Sequence, residues 1–357
     1  MVNSLGKRPD GFLAEMLGQP LALRRAAEGL VGQVDALAAL AETHENRPVL
    51  FTGMGTSYNA CYVPVTLLAG AGRSTGMVDT AELLHFRRPA LRPETVLILV
   101  SQSGRSAELV TLMEALKEGS RPLVVSITNA RENPIAQAAD ISLDTRTGPE
   151  MGPSTMTFAA TLVLLAVVAQ ILAGQSPPEA VRDVTEMTDQ VAVAVGTLLE
   201  GQEKLADRLI EWWAQRPVMI LLGRGTARAA SETGALLLKE AARLPAEALE
   251  SGQFRHGPLE LAGPELAAAI VATEPDTQRL DIGIAADLVR AGAGVLVVGR
   301  TRGAPAGSQQ LPLTDVGRAL SPALAVVPFQ LLAWRLALQR SRPPGSFTVG
   351  SKVTTSE

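Results

Sequence analysis

The short apolar run Pro48-Val49-Leu50-Phe51-Thr52 ends in Gly53-Met54-Gly55-Thr56, and a second run, Pro217-Val218-Met219-Ile220-Leu221-Leu222, ends in Gly223-Arg224-Gly225-Thr226. With Gly55 set against Gly225 the two copies lie 170 residues apart, and helical spacing resumes after each. A strand, a glycine turn and a helix, met twice in that order, point to an internal duplication. Length agrees, since single hydrophobic cores stop growing near ~250–300 residues and this chain has 357. Two domains are expected.

The alternation continues inside both copies. In the first, 76–79, 96–100, 123–128 and 141–143 are short apolar runs separated by helical patterns; in the second, 268–272 and 294–298 follow, and 325–328 opens a last helix to Leu338. Such runs argue for parallel sheets with helices on both faces. The expected organisation is a helical segment over 1–45, a first domain over 46–175, a helical connector over 176–215, a second domain over 216–338 and an extended tail over 339–357.

Composition narrows the class. Hydrophobic residues make up 46% of the chain and aromatic ones only 3%, which favours an α/β protein packed with Ala, Leu and Val. The net charge of -4 leaves no basic footprint for a nucleic-acid backbone, so no nucleic-acid partner is expected. One cysteine, Cys61, rules out an intrachain disulfide and Cys-based zinc sets and fits a reducing cytoplasm. No metal or cofactor is called for. The N-terminus lacks an apolar core of the secretory kind, and the longest apolar stretch, 157–173, is broken by Gln170 and is shorter than a ~20-residue span. A cytoplasmic protein without a membrane partner is the expectation.

The turn after the first run lacks the third glycine of a dinucleotide fingerprint, because position 58 is Tyr, so a nucleotide-dependent dehydrogenase is weakly supported. Free N–H groups at the start of the following helix, with the Thr56 and Ser57 hydroxyls, suit an anion; a plain tight turn with a cap is the alternative. After the buried run 96–100 comes Ser101-Gln102-Ser103-Gly104-Arg105-Ser106. Ligands of open parallel sheets bind outside the carboxyl ends of the strands, and hydroxyls, an amide and free N–H groups can surround a phosphate without a cation. The same atoms could instead cap a helix, with Ser106 as the cap and Glu108 in the first turn. Taken alone, Glu240 is a helix residue spaced to pair with Arg243, and His256 is a loop histidine, one of three beside His44 and His85.

GMGTSYNA, SQSGRSAEL, the loop GPEMGPST at 148–155 and GRGTARAASETGALLLKEAARLPAEALESGQFRHGP together resemble the sugar isomerase (SIS) family. Within it they resemble the double-SIS isomerase portion of glucosamine-6-phosphate synthases and its free-standing relatives, from about residue 15 to the tail. The resemblance implies two flavodoxin-like, doubly wound parallel-sheet α/β domains in tandem, with a helical N-terminal segment and an extended C-terminal tail. It makes Thr56, Ser57, Ser101, Gln102, Ser103 and Ser106 the phosphate cradle of a phosphosugar, joined by Ser154 from a loop one residue shorter than is usual in the family.

The resemblance also implies the chemistry. Glu240 becomes the carboxylate that carries a proton between C1 and C2 of the sugar through an enediol or enolamine. His256 becomes the ring-opening imidazole, contributed by the neighbouring subunit of a homodimer, and Lys352 the amine that reaches the sugar carbonyl. Two positions depart from the family. Arg105 stands where an acidic residue is common and is expected to face solvent, and Leu237 stands where the aminotransferase members carry a second active-site lysine. The likeness begins at linker helices, so no glutaminase unit is expected and glutamine-derived ammonia would have no source in this polypeptide. A phosphosugar isomerase or isomerising amino-sugar-phosphate deaminase is therefore expected, its site combining the first copy's phosphate loop with Glu240 of the second. A fructosamine-phosphate deglycase, an ammonia-dependent aminotransferase and a non-catalytic sugar-phosphate sensor are the alternatives.

Overall fold

In a computed structural model that describes residues 11–43, 47–117 and 121–356, the chain builds two five-stranded sheets, parallel throughout. The first contains Val49–Gly53 (β1), Thr75–Asp79 (β2), Val96–Ser101 (β3), Leu123–Thr128 (β4) and Ile141–Asp144 (β5) in the order β2-β1-β3-β4-β5. The second contains Val218–Gly223 (β6), Glu247–Glu250 (β7), Leu266–Ala272 (β8), Gly294–Gly299 (β9) and Gln309–Pro312 (β10) in the order β10-β9-β8-β6-β7. Counted from its own first strand and viewed from the other edge, the second order is the first, so the repeated motif marks a repeated topology. Gly55 and Gly225 take φ of +53° and +51°, a left-handed conformation that glycine adopts without steric cost.

Side-chain alternation sorts the strands into layers. Val96, Ile98 and Val100 of β3 and Ala267, Ala269 and Val271 of β8 point into a single apolar cluster shared by both sheets. Leu97 and Leu99 face outward beneath the helix Ala107–Ala115, while Ala268 and Ile270 face outward beneath the helix Gln278–Arg290. The shared cluster is filled by the helices Met156–Leu172, Ala227–Ala242 and Val327–Gln339, with Gln19–Leu30 and Pro177–Glu200 packed alongside. Duplication therefore produced two sheets around a common interior, where two separate cores were the simpler expectation. The run Ser321–Gln339 is long and apolar enough to cross a bilayer, but 89% of its most apolar window is buried inside the fold.

Beyond Gln339 the tail adopts no helix or strand and returns across the carboxyl ends of the first sheet. The Arg243 guanidinium donates to the Ser346 carbonyl at 3.3 Å and to the Thr348 hydroxyl at 2.8 Å, and Ala107 N donates to the Thr354 carbonyl at 3.1 Å. The tail thus bridges the end of one helix in the second half and the start of another in the first.

Candidate active site

In an open parallel sheet the loops after two neighbouring strands diverge where the strand order reverses, leaving a crevice. Between β1 and β3 this crevice is a cavity of about 180 Å³. Thr56 and Ser57 line it after β1, Ser101 at the end of β3 with Gln102, Ser103 and Ser106 beyond it, and Ser154 from the loop between β5 and Met156–Leu172. Glu240 and Lys352 close the other side, so nine of the ten singled-out residues surround one space. That volume is below the ~300–1,000 Å³ of drug-sized sites and suits a small polar molecule.

The loop after β3 turns at Gly104, whose φ is +61° and where a Cβ would lie 1.9 Å from Asn133 Oδ1. Ser101 Oγ accepts from Gly104 N at 3.1 Å and Ser103 Oγ from Arg105 N at 3.1 Å, which leaves each hydroxyl its own proton to donate. Ser106 stands at the N-cap of Ala107–Ala115, yet its side chain caps no backbone N–H. The N-cap position is filled without the cap bond, and the first N–H of the helix, Ala107 N, donates to the tail carbonyl of Thr354. Arg105 is exposed and turns away to the Glu132 carbonyl at 3.0 Å, so Lys352 is the cation lining the cavity among the described residues.

Glu240 lies in the last turn of Ala227–Ala242, a helix that packs against Gly55–Ala60 of the first half. Arg243 is committed to the tail, and one Glu240 carboxylate oxygen is buried with no hydrogen-bond partner. Burial pushes its pKa up to about 7, against the opposing pull of Lys352. Leu237, one turn earlier, is fully buried.

Lys352 is held by a carboxylate that sequence reasoning did not single out. Its Nζ lies 2.9 Å from Glu150 Oε2 and donates to the Gly152 carbonyl at 2.6 Å. Glu150 is buried and also accepts from Thr155 N at 2.8 Å, the Thr155 hydroxyl at 3.1 Å, Thr157 N at 3.2 Å and the Thr157 hydroxyl. A signal existed: a glutamate in a glycine-rich loop followed by threonines at its fifth and seventh positions. Glu15, on the helix Gly11–Leu17, had none, yet it accepts from Met151 N at 2.5 Å and Gly152 N at 3.1 Å and clamps the same loop.

His256 is the singled-out residue that the fold does not bring to this cavity; it is exposed on the loop before Pro258–Leu261. His85 stacks edge-on with Phe86, and His44 lies outside the described residues. Among the described residues, no cluster of His, Cys, Asp and Glu is placed to hold a metal ion.

Comparison with known proteins bears first on the stretch that contributes the hydroxyls lining this cavity. Residues 43–171 match the family model of the SIS domain. The chain is 29% identical over 346 residues to the isomerizing glutamine–fructose-6-phosphate aminotransferase of Pseudomonas aeruginosa, covering 92% of this chain and 56% of that protein. The chain thus spans a little over half the length of such curated relatives. Among solved structures, the C-terminal domain of glucosamine-fructose-6-phosphate aminotransferase from Francisella tularensis superposes with a TM-score of 0.84 at 22% identity, over 96% of this chain and 98% of that one. The tagatose-6-phosphate ketose/aldose isomerase of Escherichia coli gives a TM-score of 0.78 at 21% identity, over 95% and 96%. Both structural likenesses extend past the SIS domain to the second sheet and establish its fold.

Proposed function

We propose that this protein is a phosphosugar isomerase that moves a proton between C1 and C2 of a hexose 6-phosphate, releasing ammonia when C2 carries an amine. The observation that carries this reading is Glu240: a half-buried residue with one buried, unpartnered carboxylate oxygen, lining one small cavity with a set of hydroxyls and an amine. The hydroxyls of Thr56, Ser57, Ser101, Ser103 and Ser106, with the Gln102 amide, hold the phosphate. Ser154 and Lys352 face the sugar, the ammonium polarising the carbonyl or C2 nitrogen.

The steps balance without an added oxidant or reductant. Glu240 takes the proton from the carbon beside the C=O or C=N group, the electron pair moves into a C1–C2 double bond, and the heteroatom gains a proton from Lys352. Return of the Glu240 proton to the other carbon, while the second heteroatom gives its proton back to Lys352 and forms the new C=O or C=N bond, completes a ketose–aldose exchange. For an amino sugar it yields the C2 imine, which water hydrolyses to ketose phosphate and ammonia. A base reaching both carbons needs a pKa near neutrality, as burial provides here. His256 opens the ring from the neighbouring subunit. Buried Leu237 supplies no second amine, which favours isomerisation or deamination over amine addition.

The test is incubation with glucosamine 6-phosphate and fructose 6-phosphate in D2O, following ammonia, ketose phosphate and deuterium at C1 and C2. Turnover or exchange is expected, with a loss of at least ~100-fold in E240Q. Fructose 6-phosphate binding that is indifferent to E240Q, with no exchange, would make the protein a sensor.

A further inference from the structure

The second sheet has a switch point of its own, between β6 and β8, and the strand registers show which residues correspond. Gly53 pairs with Val100 across β1 and β3, and Gly223 with Val271 across β6 and β8. Three positions further on, Thr56 matches Thr226 and Ser103 matches Glu274. Ser106 then matches Thr277, and both occupy N-cap positions of the next outer helix. The strand ends and the glycine turn are repeated, but the second loop differs: Gly104 at φ +61° corresponds to Pro275, which opens a 3-10 turn over Pro275–Thr277, and the side chain at the serine position has become a glutamate.

That glutamate fills the space. Glu274 is 2% exposed; its Oε1 accepts from Thr226 N at 2.8 Å and from the Thr226 hydroxyl at 2.6 Å, at the amino end of the 16-residue helix Ala227–Ala242. A Cβ on Gly225 would lie 2.8 Å from the same oxygen. The second oxygen faces Arg318 Nε at 2.7 Å. The nearby Arg224 is engaged by Glu250 and Asp281, and Arg228 by Glu232 and the face of Tyr62.

We propose that the second switch point is a phosphate cradle closed from within, with the Glu274 carboxylate seated where a phosphate monoester would bind, so that each chain carries one phosphosugar site. This rests on the first cradle being a phosphate site. A tethered carboxylate gives up no translational freedom on binding and acts at a high effective concentration, so a free anion competes poorly. The consequence reaches the first cavity, because the helix held at its amino end by Glu274 carries Glu240 in its last turn. Its anchoring is then independent of ligand concentration.

The test compares wild type, E274S, which restores the first copy's serine, and E274Q, which keeps the shape, by calorimetric titration with inorganic phosphate and by thermal melts over a phosphate series. E274S is expected to bind one more phosphate per chain than wild type and to gain melting temperature with phosphate beyond the wild-type gain; E274Q is expected to do neither. Equal stoichiometry in folded E274S and wild type would overturn the proposal. If E274S is unfolded without ligand, phosphate or acetate should restore its melting transition, and no restoration by either anion would overturn the proposal as well. The readout is a difference between variants, so it stands apart from the first cradle: a wild type that binds no phosphate contradicts the proposed function, whereas an unchanged increment contradicts the closed cradle.

Discussion

Glu240 sits beside the exposed Lys239 on the helix surface yet turns its carboxyl inward, and desolvation raises its pKa to about 7. In an unfolded chain a glutamate titrates near ~4.3. Between these values the folded state holds the extra proton, so the stabilising contribution is complete below about 4.3 and is lost as pH rises to about 7. E240Q should therefore match wild type at pH 4 and exceed it at pH 8 by up to ~3 kcal/mol in denaturant melts. A variant no more stable at pH 8 would mean that the carboxylate is not desolvated. For activity the sign reverses: the base must be ionised, and kcat/KM should climb through a limb near pH 7. Ser106 makes a second prediction. Its hydroxyl caps nothing, so S106A should cost under ~0.5 kcal/mol, where loss of a true N-cap costs ~1. KM for the phosphate substrate should nevertheless rise several-fold.

At the level of elements, the tail is a strap whose two fastenings differ in kind. Lys352 is locked to a buried carboxylate, whereas Arg243 reaches Ser346 and Thr348 through neutral acceptors, the second of them at the surface. R243A should loosen the strap without unfolding the chain: a several-fold rise in KM, with the melting temperature within a few degrees of wild type. An unchanged KM would show that the Lys352–Glu150 pair alone seats the tail. The central strands were legible in the sequence because a strand buried on both faces reads as a near-continuous apolar run, as β8 does throughout and β3 does over Val96–Val100. β7 and β10 were missed. They are edge strands of four residues carrying Glu247, Glu250, Gln309 and Gln310, and the few apolar side chains they do pack inward, Ala248, Leu249 and Leu311, are too short a run to show a period. That these hydroxyls share one cavity was legible because they cluster in two short stretches, Thr56-Ser57 and 101–106, that follow neighbouring strands. Glu15 was not, because its partner Met151 comes from 136 residues away, a distance that no local pattern encodes; for Glu150 the local threonines were a signal, but the Lys352 that gives it its place at the site lies 202 residues away.

For the whole molecule, the separation of His256 from the cavity of its own chain sets the decisive arithmetic. Two sheets around one interior place Glu240, the cradle and the tail together within a single chain, and leave the loop of His256 at the surface. If a symmetric dimer brings each His256 to the other chain's cavity, a complete site takes Glu240 from one subunit and His256 from its partner. E240Q and H256A should each be nearly inactive alone. Mixed under conditions that exchange subunits, half of the dimers are hybrids, and each hybrid holds one intact site and one doubly altered site. Activity should return to roughly a quarter of wild type at equal mixing, and wild-type activity should fall on dilution below the dimer dissociation constant. Were both residues used within one chain, no mixture of the two variants could contain an intact site, and the mixed sample would stay as inactive as its components.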